Sequence, residues 1–101
     1  MKRACVDFDG TIVEEYVEWP AVPKLLPGAR AAVQELRDKG WYIIIFSARN
    51  NPQMINQKQK YQQMVNLLKE YQIPYDEIWE YPKPIATIFI DDRNTTFKGW
   101  Y

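Results

Sequence analysis

Three short apolar segments, residues 3–8, 41–46 and 86–90, each run straight into polar side chains, and stretches of helical spacing lie between them. Their length and their β-branched and aromatic content mark them as buried strands. Ala29, Ala32, Val33 and Leu36 recur at i, i+3, i+4 and i+7 between Pro27 and Gly40, the pattern of an amphipathic helix with a start and a stop signal. Residues 52–71 return to helical spacing, with Met54, Tyr61, Val65 and Leu68 on one stripe, and residues 78–81 form a weaker strand. This order predicts an α/β fold: a parallel sheet with helices on its faces and right-handed connections. In such sheets ligands bind beyond the carboxyl ends of the strands. The three strong strands here end at Asp7 and Asp9, at Ser47, and at Asp91 with Asp92.

Composition narrows the chemistry. The 101 residues suffice for one packed domain, 1–101. There is no histidine, so Ser-His-Asp and Cys-His relays and imidazole metal ligands are excluded. A single cysteine, Cys5 in an apolar run, allows neither an intrachain disulfide nor a multi-cysteine zinc site and points to a reducing compartment. The formal net charge is zero, so no broad field draws in nucleic acid or an anionic membrane. The longest apolar stretch falls far short of the roughly 20 residues that span a bilayer, and Met1-Lys2-Arg3 leads straight into the first strand-like segment. A soluble, cytoplasmic protein is expected. Carboxylates, hydroxyls, lysine, arginine or a hard cation must then do any chemistry.

Asp7-Phe8-Asp9-Gly10-Thr11 is the sharpest local feature. Residues two apart on a strand share a side at about 6.7 Å, a spacing that places one phosphorus between two carboxylates of different roles. Gly10 lets the chain turn away at once. An Asp-Gly pair alone is ordinary turn punctuation, but a charge at Asp7, inside an apolar strand, is costly unless it is paired or holds a metal. Asp91-Asp92 repeats the anomaly after Ile88-Phe89-Ile90. Either carboxylate could cap a helix; together with Asp7 and Asp9, the pair fits a cation, and all-oxygen donors favour Mg²⁺.

With Ser47 after the second strand and Lys83 further on, these residues resemble the four ordered motifs of the haloacid dehalogenase superfamily of phosphohydrolases. The resemblance runs from Arg3 to Asp92, and the stretch 88–94 with Phe97, Gly99 and Trp100 is similar to very small bacterial members. It implies a Rossmann-like three-layer sandwich with a mostly parallel sheet of four or five strands. It also implies an Mg²⁺-dependent phosphatase. Asp7 would be the nucleophile that forms an aspartyl-phosphate. Asp9 would protonate the leaving oxygen, then activate water, and lend its backbone carbonyl to the metal. Ser47 would bind a phosphoryl oxygen, and Asp91, first off its strand, or Asp92 would complete the metal site. The family's lysine would be Lys83, although about 26 Å of extended chain separates it from Asp91, at the far end of the sheet. Arg49, which can grip phosphate bidentately, is the understudy for that role.

Neither the stretch after Thr11 nor the region 49–83 has room for a cap domain, so an open site is expected. Residues 14–26, with Pro20 and Pro23 and the aromatic anchors Tyr16 and Trp19, read as a loop and a candidate lid. After Asp92 only one short strand, 96–101, is expected. Tyr16, Trp19, Trp79, Tyr81 and Trp100 could stack on a base or sugar, or simply pack. The phosphorylated substrate is expected to be a macromolecular end, or a small molecule enclosed by a homo-oligomer. Two other readings compete: a non-catalytic phosphate-binding or interaction module on the same scaffold, and a phosphoacceptor receiver domain. Asp9 speaks against the first, and the position of the motif on the first strand against the second.

Overall fold

The computed structural model describes residues 2–79 and, as backbone, 88–90. Lys83, Asp91 and Asp92, the aromatics Tyr81 and Trp100 and the expected strand 96–101 lie outside these residues. The described strands are β1 (Arg3–Asp7), β2 (Tyr42–Phe46), β3 (Glu77–Ile78) and β4 (Ile88–Ile90), and the helices are α1 (Ala29–Asp38) and α2 (Gln57–Glu70). The four strands form one parallel sheet in the order β3-β2-β1-β4. β1 is therefore central, as expected for a strand whose Ala4, Cys5 and Val6 are all fully buried.

Register aligns Ala4 with Ile43 and Val6 with Ile45. These four side chains join Ala29 and Val33 of α1 and Met64, Leu67 and Leu68 of α2 in one buried cluster. The alternate residues Cys5 and Ile44 are fully buried as well. Among the described residues no helix is long and apolar enough to cross a membrane.

Element ends differ from expectation for local reasons. Trp41 stays out of β2 because its N–H closes α1, donating to the Leu36 carbonyl at 3.0 Å, while Gly40, at φ 84°, donates to Arg37 at 3.0 Å. This is a Schellman turn with glycine at its left-handed position. The second helix starts at Gln57, five residues later than its spacing predicts. Ser47 caps a 3₁₀ turn over Ala48–Asn50, and Asn51 then accepts from Gln53 N at 3.0 Å through its side chain, an Asx turn that diverts the backbone. The buried face of α2 is Lys60, Met64, Leu67 and Leu68; of the expected stripe Leu68 is fully buried and Tyr61 packs half-buried against the core.

α2 ends in the same kind of turn as α1: Ile73 N donates to Leu68 O at 2.9 Å and Gln72 N to Lys69 O at 3.1 Å. Here the left-handed position, φ 55°, belongs to Gln72, whose Cβ crowds the following carbonyl. Gln72→Gly is expected to raise stability by about 0.5–1 kcal/mol, read from urea melts.

Asp76 fastens the far end of the sheet. Its carboxylate accepts from Ile43 N at 2.7 Å and from Arg37 at 3.0 Å, and its own N–H donates to Ile43 O at 2.8 Å. Burial pushes the Asp76 carboxyl up, but the Ile43 N–H and the Arg37 guanidinium outweigh it and hold the group below its ordinary 3.8. A carboxylate with a lowered pKa in the folded chain stabilises fully above its unfolded value, and that gain is lost as pH falls through the folded one. Asp76→Asn should therefore cost about 1–2 kcal/mol near neutral pH. The gap from the parent should narrow in melts taken below about pH 4.

Candidate active site

β1 delivers Asp7 as its last residue, paired with Phe46 of β2, so Ser47 follows one step beyond on the neighbouring strand. On the other side of β1, Ile90 pairs with Val6. Three strand ends thus come side by side at the carboxyl edge of the sheet, as the sequence predicts.

Beyond Asp7 the chain cannot continue as a strand. Phe8, fully buried, still donates its N–H to Phe46 O at 3.2 Å, but its carbonyl receives Ile12 N at 3.0 Å and Val13 N at 3.1 Å. Gly10 makes this turn possible at φ 83° and donates to Val13 O at 2.9 Å. The turn fixes where Asp9 stands.

Asp9 faces Arg49. Nε of Arg49 donates to Oδ2 at 2.9 Å and Nη2 to Oδ1 at 3.0 Å, a two-pronged, charge-assisted contact. Nη1 donates to the Gln63 side-chain oxygen at 2.8 Å and to the Lys60 carbonyl at 3.3 Å. The Arg49 side chain is 0% exposed, against 17% for that of Asp9. Its guanidinium carbon lies 5.4 Å from the Phe8 ring centre and 5.2 Å from that of Tyr16. Ser47 helps aim it, because its Oγ accepts the Arg49 N–H at 3.0 Å and sits 3.4 Å from Asp9 Oδ2.

The loop expected as a lid is a strap tied at both base and tip. At the base Glu14 N donates to Lys24 O at 2.8 Å and Leu26 N to Ile12 O at 2.9 Å. At the tip Gln63 donates to Ala21 O at 3.0 Å, Lys60 meets Glu18 at 3.4 Å, and the Tyr71 hydroxyl donates to Pro23 O at 2.9 Å. Hydrogen bonds to Tyr16 and then Glu18 outweigh the effect of burial and hold the Lys60 ammonium above its ordinary pKa, hence charged. Trp19, expected to guard the strand end, lines a cleft of about 450 Å³ between strap and α2 together with Val22, Gln59, Gln62, Gln63 and Asn66.

Of the residues singled out in the sequence, Asp7, Asp9, Ser47 and Arg49 share this edge, and Asp7 is buried at 7% exposure. Arg49 does not hold a phosphate grip out to solvent. Four of its five N–H bonds go to protein oxygens, two of them from Nη1 and one each from Nε and Nη2. Sequence reasoning missed Lys60 and Gln63. The spacing of Lys60 to Met64, Leu67 and Leu68 was a usable signal; nothing local marks Gln63.

Among the described residues no group of three acidic, cysteine or histidine side chains could hold a metal. Among the described residues the buried Asp7 carboxylate is an oxygen donor of the kind a hard cation takes, and the chain has no histidine to offer nitrogen. The described part of the site therefore fits Mg²⁺ in donor chemistry.

No protein-family model and no curated protein sequence matches the chain. Solved structures do. A conserved protein from Bacteroides thetaiotaomicron superposes with TM-score 0.70 at 24% identity, over 92% of this chain and 77% of that one. A protein from Vibrio cholerae gives 0.59 at 24% identity over 82% and 72%. The D,D-heptose 1,7-bisphosphate phosphatase from B. bronchiseptica, crystallised with magnesium and phosphate, gives 0.55 at 17% identity over 83% and 51%. At these identities the likeness is one of fold: this chain shares its α/β architecture with a phosphatase that was crystallised with magnesium and phosphate.

Proposed function

We propose that the protein is an Mg²⁺-dependent phosphatase of the haloacid dehalogenase type, hydrolysing phosphomonoesters through an aspartyl-phosphate. The observation that carries this reading is the pair of unlike carboxylates at the end of the central strand: Asp7 buried on the strand, Asp9 just beyond it and held by Arg49. The shared fold with the heptose bisphosphate phosphatase supports it. One domain over 1–101, a three-layer sandwich and an uncapped site belong to the same reading, since the strap fills the stretch after Thr11 and α2 the stretch between β2 and β3.

An Asp7 oxygen attacks phosphorus and the bond to the ester oxygen breaks, while Asp9 gives that oxygen its proton. Asp9, now the base, takes a proton from water. The resulting hydroxide attacks phosphorus and the bond to Asp7 breaks, releasing inorganic phosphate and restoring the Asp7 carboxylate and the protonated Asp9 with which the cycle began. Ser47 Oγ, at the adjacent strand end, holds a phosphoryl oxygen. Mg²⁺ would be held by the Asp7 carboxylate and the Asp9 carbonyl, with Asp91 or Asp92 as further ligand, and would neutralise the repulsion between Asp7 and the phosphate dianion. Lys83 or an equivalent cation balances Asp7. The substrate is a macromolecular phosphate end or a small phosphate covered by a second copy, in the cytoplasm.

A panel of phosphorylated metabolites and polymer ends, assayed with Mg²⁺ and with excess EDTA, should give turnover in the parent that EDTA abolishes. Asp7→Asn should fold and lose at least about a thousandfold in kcat, since the covalent route closes. Activity within tenfold of the parent in folded Asp7→Asn would remove Asp7 from the role.

A further inference from the structure

A guanidinium with no solvent access must be fully partnered, because an unpaired buried charge costs several kcal/mol. Asp9 is its acidic partner among the described residues, and it takes the two-pronged end of the fork. Two parallel N–H···O bonds fix the plane of a carboxylate as well as its position. The guanidinium cannot swing aside either. Phe8 and Tyr16 lie against it, and Gln63 and the Lys60 carbonyl hold Nη1 from α2. The two oxygens of Asp9 are left unequal. Oδ2 has Arg49 Nε at 2.9 Å and Ser47 Oγ at 3.4 Å, whereas Oδ1 has the single contact with Nη2 among the described residues.

We propose that Arg49 is a positioning residue for proton transfer, fixing the Asp9 carboxylate so that Oδ1 exchanges the proton with the leaving oxygen. The assignment rests on the phosphatase reading, with Asp9 as acid and base. It replaces the phosphate grip that the sequence suggests for Arg49, since a side chain closed to solvent and committed to four protein contacts does not reach a substrate. Gln63 extends the device. Its amide oxygen accepts from Arg49 and its nitrogen donates to Ala21 O at 3.0 Å, so the strap and the acid are held by one side chain.

The test compares kcat/KM for phenyl phosphate, whose leaving oxygen needs a proton, with p-nitrophenyl phosphate, whose leaving phenolate departs without one. Arg49→Lys keeps a buried charge but not the fork. With folding verified by near-ultraviolet circular dichroism, it should lose on the order of a hundredfold on phenyl phosphate and less than about tenfold on p-nitrophenyl phosphate. Asp9→Asn should show the same asymmetry, and Asp9→Asn with Arg49→Lys should be no slower than Asp9→Asn alone, as for residues acting as one unit. If Arg49→Lys does not fold, Gln63→Leu, which removes one partner of Arg49 and leaves Asp9 intact, should show the asymmetry in smaller measure. Equal losses on both esters, or losses that multiply in the double variant, overturn the assignment and leave the phosphatase reading standing. A parent that turns over neither ester with Mg²⁺ overturns that reading and the assignment with it.

Discussion

The carboxyl edge of this sheet is organised around a charge that water does not reach. Burying the Arg49 guanidinium is favourable only because Asp9, Gln63 and the Lys60 carbonyl satisfy it, and those partners come from two separate pieces of the chain. Asp9 comes from the turn after β1, Gln63 and Lys60 from α2, and Arg49 itself from the 3₁₀ turn that Ser47 caps. Tyr16 adds the strap, placing its ring beside both Arg49 and Lys60. The buried guanidinium thus joins the turn after β1, the 3₁₀ turn, α2 and the strap at one point. The arrangement is stiff because loss of any one partner leaves a buried N–H unsatisfied.

The sheet supplies what that ion pair cannot. Parallel pairing with Asp7 opposite Phe46, and Val6 opposite Ile90, sets three strand ends level at one edge. Apolar packing of Ala4, Val6, Ile43 and Ile45 against both helices holds that register, because a slip of one residue would turn those side chains out of the cluster. Asp7 is therefore placed by the core, while Asp9 is placed by the turn at Gly10 and its carboxylate is oriented by Arg49. The separation of the two controls suits the different chemical parts proposed for the two carboxylates.

Much of this was legible in the chain. Apolar runs closed by polar residues announced a parallel sheet, with Asp7 and Ser47 at neighbouring strand ends, and Gly40 marked the end of α1 through the left-handed turn it occupies. The start of α2 was not legible, since the Asx turn at Asn51 competes with helix by a side-chain hydrogen bond that apolar periodicity does not register. Nor was the role of Arg49. A lone arginine after a strand reads as surface or as phosphate ligand, and only the fold brings Gln63 and the Phe8 and Tyr16 rings around it. The strap read as a lid for the same reason. Its anchors, Lys60, Gln63 and Tyr71, lie some forty or more positions away in sequence, and the one periodic signal among them, that of Lys60, points to the core face of α2 and not to the strap.

A double-mutant cycle on unfolding free energy, joining Asp9→Asn and Arg49→Met, tests most directly whether this edge is built on the pair. Urea melts should give a coupling of about 2 kcal/mol or more, as expected for a charge-assisted contact with one partner out of water. A coupling within about 0.5 kcal/mol of zero would show the two side chains to be independent and contradict the account.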